Sequence, residues 1–196
     1  MNQHLNPVLK PQMSKDELQL LPLFSHTGRY ELIETVPAAL RAIEELKKAT
    51  TLGFDTETRP SFRKGEFYNV ALLQLATHEC CYLFRLNKIP LSLELVSLLE
   101  DERIVKVGVG IRDDVLALQK MHKFTPNGFV DISEKTRISK SISLSLRSLC
   151  GMYLNKRLSK GAKVTNWESP VLSDSQARYA ANDAFVSLLI LEKMFV

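Results

Sequence analysis

The chain has 196 residues, of which 45% are hydrophobic and 24% charged, and it carries a formal net charge of +4. That size fits one domain, or one domain with an extension, and the composition excludes an intrinsically disordered chain. No apolar run approaches the ~18 to 20 residues that cross a bilayer, the start lacks the basic-then-apolar order of a secretory signal, and Cys80, Cys81 and Cys150 lack the spacing of a disulfide framework or zinc knuckle, so an intracellular protein with no membrane partner is expected.

Residues 1 to 28, with Pro7, Pro11 and Pro22, read as an N-terminal extension that is either packed on the domain or partly loose; S-K-D-E from Ser14 has the capping-box pattern of a short helix. The domain itself is placed at 29 to 196. Alternation over Tyr30 to Glu34 predicts a strand, followed by Thr35 as N-cap of a helix over Ala38 to Lys48, with Pro37 in its first turn. A buried strand is predicted over Leu52 to Thr58, L-G-F-D-T-E-T. Side chains alternate faces along a strand, so Asp55 and Glu57 point the same way and Phe54 and Thr56 the other. Two like charges beside apolar residues read either as half of a site for a hard cation or as an acidic strand end in solvent. After the polar loop from Ser61 to Glu66, Tyr68 to Ala76 and Cys80 to Leu86 predict a hairpin across T-H-E, followed by a helix over Leu91 to Glu100 and a strand over Ile104 to Val107.

Gly108-Val109-Gly110 then turns the chain into a helix over Ile111 to His122; Asp113 occupies the last position of a would-be G-x-G-x-x-G, so the dinucleotide fingerprint is absent. At 100° per residue, Ile111, Val115, Leu118 and His122 form the core face, Asp114 sits at its edge and Asp113 points away. Asp114 is thus the carboxylate able to look into a site. Between Ile132 and Thr165 eight basic residues (Lys135, Arg137, Lys140, Arg147, Lys156, Arg157, Lys160 and Lys163) face one acid, Glu134, which suits either a polyanionic ligand or a solvated face. Ser173 and Gln176 form a capping box for a last helix that runs from Asp174 almost to the C-terminus. On it Tyr179, Asp183, Val186 and Ile190 make one stripe whose sole charge is Asp183, and a carboxylate so placed needs a cation, a basic partner or several donors. Trp167 reads as a core or helix-entry anchor.

Taken together, Asp55-x-Glu57, Asp114 after G-V-G-I-R-D, and Tyr179-A-A-N-Asp183 resemble in type, order and spacing the motifs of the DEDD exonuclease family, in its tyrosine-bearing subgroup. V-A-L-L-Q-L-A, C-Y-L-F, S-L-R-S-L-C-G-M-Y-L and L-S-D-S-Q-A-R-Y-A-A-N-D-A are similar to Werner-type domains and, more distantly, to ribonuclease D; the likeness runs from about Tyr30 to the C-terminus. The resemblance implies an α/β, ribonuclease-H-like fold, a mixed sheet whose first three strands are antiparallel and helices on its faces. It implies removal of nucleoside 5′-monophosphates from a nucleic-acid 3′ end with two divalent ions, magnesium or manganese. Asp55, Glu57 and Asp183 would hold the ion that activates water, Asp55 would bridge to the second, Asp114 would support that one, and Tyr179 would orient the water. Arg59, Phe62, Arg63, Lys64, Lys156, Lys160 and Lys163 are the candidates for holding substrate. DNA is the favoured substrate; an exoribonuclease of the ribonuclease D kind and a non-catalytic nucleic-acid-binding module are the alternatives.

Overall fold

The computed structural model describes residues 11–63, 65–136, 144–159, 161 and 164–195. Six strands, β1 (Arg29–Ile33), β2 (Thr51–Thr58), β3 (Val70–Ala76), β4 (Cys80–Arg85), β5 (Val105–Gly108) and β6 (Phe129–Asp131), form one sheet in the order β1-β4-β3-β2-β5-β6. The inner strands β4, β3 and β2 are antiparallel, whereas β1 joins β4, β5 joins β2 and β6 joins β5 in parallel. The expected mixed sheet is therefore present. Its antiparallel trio starts at the D-x-E strand, and the strand that precedes it in the chain is an addition at the β4 edge.

Seven helices accompany the sheet among the described residues: α1 (Lys15–Leu20), α2 (Val36–Leu46), α3 (Leu93–Glu100), α4 (Arg112–Met121), α5 (Ile132–Lys135), α6 (Leu146–Leu154) and α7 (Asp174–Met194). The predicted caps form as read: Thr35 accepts from the Ala38 N–H, and Ser14 with Glu17 and Ser173 with Gln176 close reciprocal capping boxes. Strand β6 and helix α5 have no counterpart in the sequence reading. Three residues, F-V-D, are too short to show a period, and only the fold reveals them as a sheet edge.

The two faces of the sheet are packed differently. Leu52 and Phe54 of β2, with Leu73, Leu75 and Phe84, meet α2, α3 and α4 through Ile43, Leu46, Leu95, Leu99, Val115 and Leu118. Gly53, Asp55 and Glu57 turn to the other face, where α7 lies with Ala177, Ala180, Ala181 and Ala184 against the sheet. Gly53 is required there: a Cβ would stand 2.0 Å from the Ala184 carbonyl oxygen, so any side chain would drive the helix off the strand.

The N-terminal extension, from residue 11 onward, is packed on the domain. Leu18 and Leu21 fill the space beside Gly151 of α6, where a Cβ would come within 2.1 Å of Leu18. Residues 21–25 then run as a strap beside Arg157, with the Phe24 N–H donating to the Arg157 carbonyl (2.8 Å) and the Arg157 N–H to that of Pro22 (3.0 Å). His26 closes the strap onto α7: its backbone N–H donates to Asn182 Oδ1 (3.2 Å) and its ring stacks on Phe185 at 3.7 Å. Among the described residues no helix is long and apolar enough to cross a membrane.

Candidate active site

Strand β2 pairs with β5 only over Thr51 to Gly53, whereas on its other side it stays paired with β3 to Thr58. The second half of β2 therefore has one open edge, and it is the half that carries Asp55 and Glu57. On α7, Tyr179 and Asp183 lie one turn apart and so face the same spot. These four side chains line a single cleft of about 590 Å³, which Ser145 and Arg147 from the start of α6, together with Leu158 and Ser159, also line. Asp183 is only 7% exposed, on a helix otherwise buried in apolar contacts.

The cleft is strongly negative. Burial first, and then the charges of Asp183, Glu57 and Asp55 together with a hydrogen bond to Asp183, hold the Tyr179 phenol well above its ordinary range. The same field reaches buried thiols on two sides: Cys150 is pushed up to about 12 by burial and by Asp183, and Cys81 is raised by burial, by Cys80 and by Asp55. All three cysteines are free and buried, in keeping with inert thiols. Gln74, directly opposite Asp55 on β3, is fully buried, and its amide has no partner among the described residues. Three carboxylates and a phenol are hard oxygen donors, and an unpartnered amide beside one of them marks a site that protein atoms alone do not complete. The donor set fits magnesium or manganese. Among the described residues no three acidic, histidine or cysteine side chains already converge as a ligand cluster, so an ion would draw the carboxylates inward.

Asp114 stands apart from the other three acids. The Thr56 hydroxyl donates to its carboxylate from the far face of β2, and Asp114 is half-buried while Asp113 is exposed, as the helical wheel predicts. Burial raises Asp114 most, with the charges of Asp113 and Asp131 adding to it and the Thr56 bond opposing. Asp131 is the acid that the sequence reading missed. At the end of β6 its carboxylate accepts from the N–H groups of Gly110 (3.1 Å) and Ile111 (3.2 Å), and so supplies α4 with the cap its own Ile111 cannot. Gly110 has φ of +70°, which the turn into α4 requires.

The candidates for holding substrate are scattered. Arg59 lies over the Tyr68 ring at 4.7 Å and pairs with Glu168 at 3.3 Å; with Phe62 and Arg63 it lines a separate cleft of about 520 Å³. Phe62 is 78% exposed there. Lys156 is exposed beside the strap, and Lys64, Lys160 and Lys163 lie outside the described residues. Among the described residues, the cation that lines the catalytic cleft is Arg147, whose guanidinium donates to the Ser159 carbonyl at 3.1 Å. It stands in the basic stretch, but a count of charges gave no sign that this one faces the acids. Trp167 is fully buried, as an anchor should be.

The chain is 32% identical over 155 residues to the bifunctional 3′-5′ exonuclease/ATP-dependent helicase WRN of Mus musculus, covering 76% of this chain and 11% of that protein. It is 33% identical over 178 residues to exonuclease 3′-5′ domain-containing protein 2 of Drosophila melanogaster, covering 85% of this chain and 30% of the relative. The chain thus spans about a tenth and under a third of the length of these relatives. In fold it is similar to Escherichia coli RNase D, an exoribonuclease involved in structured RNA processing, with a TM-score of 0.77 at 23% identity over 84% of this chain and 44% of that one. The family model described as 3′-5′ exonuclease matches residues 30–195, and on that match the chain belongs to the 3′-5′ exonuclease family.

Proposed function

We propose that the chain removes nucleoside 5′-monophosphates one at a time from the 3′ end of DNA, with Asp55, Glu57, Asp114 and Asp183 as ligands or supports of two divalent ions. The observation that carries this reading is the single cleft in which strand β2 and helix α7 bring Asp55, Glu57, Asp183 and Tyr179 together. Magnesium or manganese bound there would neutralise charge on the scissile phosphate and supply a deprotonated water at neutral pH. Everything else falls to side chains of the chain. Tyr179, one turn before Asp183 and lining the same cleft, orients the attacking water through its hydroxyl. Arg147, which lines the same cleft as the acids, meets the phosphate of the terminal nucleotide. Asp114, braced by Thr56, supports the outer ion from the open edge of β2.

DNA is preferred to RNA because the sequence likeness is greater to WRN, at 32%, than to RNase D, at 23%; the fold likeness to RNase D favours RNA as the second reading. Initial rates on a 3′-recessed DNA and on the matched RNA, with magnesium and then manganese, decide between them. Asp55→Ala and Asp183→Ala should each lower the faster rate by at least about 10³-fold, as removal of charge-stabilising groups does in other active sites. Undiminished metal-dependent degradation in both variants sinks the assignment of the site. Absence of degradation by the unaltered protein with either metal leaves a nucleic-acid-binding module.

A further inference from the structure

The strap at residues 21–25 precedes the part of the chain that matches the nuclease family, which begins at residue 30. It is nevertheless bonded to the residue that precedes part of the catalytic cleft's lining. Leu158 and Ser159 form part of that cleft's wall, and the residue before them, Arg157, is held by the strap through three bonds: the two backbone bonds with Phe24 and Pro22, and a third from Arg157 Nε to the Leu21 carbonyl at 2.9 Å. Arg147 is in turn tied to this wall through the Ser159 carbonyl. A second cleft, of about 530 Å³, lies between the strap and the start of α7, with Leu23, Phe24 and Ser25 on one side and Ser173, Gln176 and Asn182 on the other. Ser159 and Tyr179 line both clefts, so the two are neighbours.

The described lining of this second cleft is rich in hydroxyls and amides and holds a single charged residue. Ser25, Thr165, Asn166, Ser169 and Asn182 offer neutral donors and acceptors, and the one basic residue among the described lining, Arg178, is paired with Asp174 at 2.7 Å. Such a surface suits the sugar and phosphate of a nucleic-acid strand, which neutral side chains bind without reading sequence. We propose that the strap is a built-in part of the substrate groove: it holds the Arg157–Ser159 wall across from the acids and encloses a cleft for the nucleotide next to the one being removed. The proposal rests on the exonuclease reading above. It accounts for a strap fastened at both ends, to Arg157 and, through His26, to Asn182 and Phe185 of the same helix that carries Tyr179 and Asp183.

The test separates the neighbouring nucleotide from the one being cleaved. Ser25→Trp places a large side chain in the second cleft without touching the acids, and Arg157→Ala removes the bond to Leu21. Both are measured in the full chain with a fluorescein-labelled DNA decamer and with the p-nitrophenyl ester of thymidine 5′-monophosphate, which has no neighbouring nucleotide. For Ser25→Trp, the rise in KM on the decamer should exceed that on the ester by about tenfold or more, and for Arg157→Ala by a smaller factor in the same direction. Equal losses on both substrates, or no loss on either, overturn the proposal. Binding of the decamer followed by anisotropy without divalent ions gives an independent reading, with about tenfold weakening expected for Ser25→Trp. Should the unaltered protein hydrolyse neither substrate, the reading as a deoxyribonuclease fails on its own, and the anisotropy result still decides whether the strap lines a nucleic-acid groove.

Discussion

The two faces of the sheet solve different problems with the same strands. Against α2, α3 and α4 the sheet presents Phe54, Leu73, Leu75 and Phe84, large side chains that bury much apolar area and keep the helices at a distance. Against α7 it presents Gly53, with alanines on the helix opposite, so backbone and helix come close. Close approach has a chemical consequence. A carboxylate on a strand and one on a helix can line the same cleft only if little stands between the two backbones, and the bulky face could not provide that. Both faces are buried, the near one also through Leu72, Leu83, Trp167 and Phe185, but only the near one combines burial with the close approach that the proposed site needs.

The sharpest way to break this division is to alter each face and read both properties. Leu73→Ala should lower stability by about 2 to 5 kcal/mol, because it opens a cavity in a fully buried cluster. Activity per folded molecule should persist, as followed by nuclease assay beside a urea melt. Gly53→Ala should cost less stability, about 1 to 3 kcal/mol from overpacking, yet depress activity, because its new methyl meets the Ala184 carbonyl and lifts Asp183 from Asp55. Equal effects of the two substitutions on activity would erase the distinction.

Asp114 is the one proposed site acid on the far face. It stands on α4, a far-face helix, and reaches Thr56, a far-face residue of β2, at the open edge of that strand. Asp114→Asn should therefore reduce the nuclease rate by about 10- to 100-fold, as loss of groups behind metal ligands does. Asp113→Asn, on the exposed side of the same helix, should stay within about twofold. A reversal of that order would show that the helix is turned differently in the working protein.

The smallest effect concerns a buried cation on the far face. Lys106, opposite Leu52 in the register, is fully buried, and its ammonium donates to the carbonyls of Asp101 and Ile104 at 2.8 Å each. Burial lowers it to about 8, only partly offset by Asp101. An unfolded lysine titrates near ~10.4, so between pH ~8 and ~10.4 the unfolded chain binds more protons and this group adds stability as pH rises. Melting temperatures of the wild type and of Lys106→Met, measured from pH 7 to pH 10, should show the wild type gaining on the variant through that window, with no parallel change in activity. A wild type that loses ground instead means that the ammonium is better accommodated than its burial implies.

The sequence by itself determined much that is local. Alternation put Asp55 and Glu57 on one side of β2, the 100° rotation per residue separated Asp114 from Asp113, and Ser173 with Gln176 fixed where α7 begins; these follow from covalent geometry and caps, which short segments carry within themselves. The order and spacing of the acids likewise suffice to name the family. Tertiary structure alone decided which of many basic residues faces the acids, that Asp131 would cap α4 from a strand too short to announce itself, and that the strap would fold back across Arg157 and Asn182. These contacts join residues from about 20 to more than 150 positions apart, and no periodicity records a partner that distant. Arg147 and Lys156 look alike in sequence; only the fold places Arg147 in the lining of the cleft that holds Asp55, Glu57 and Asp183.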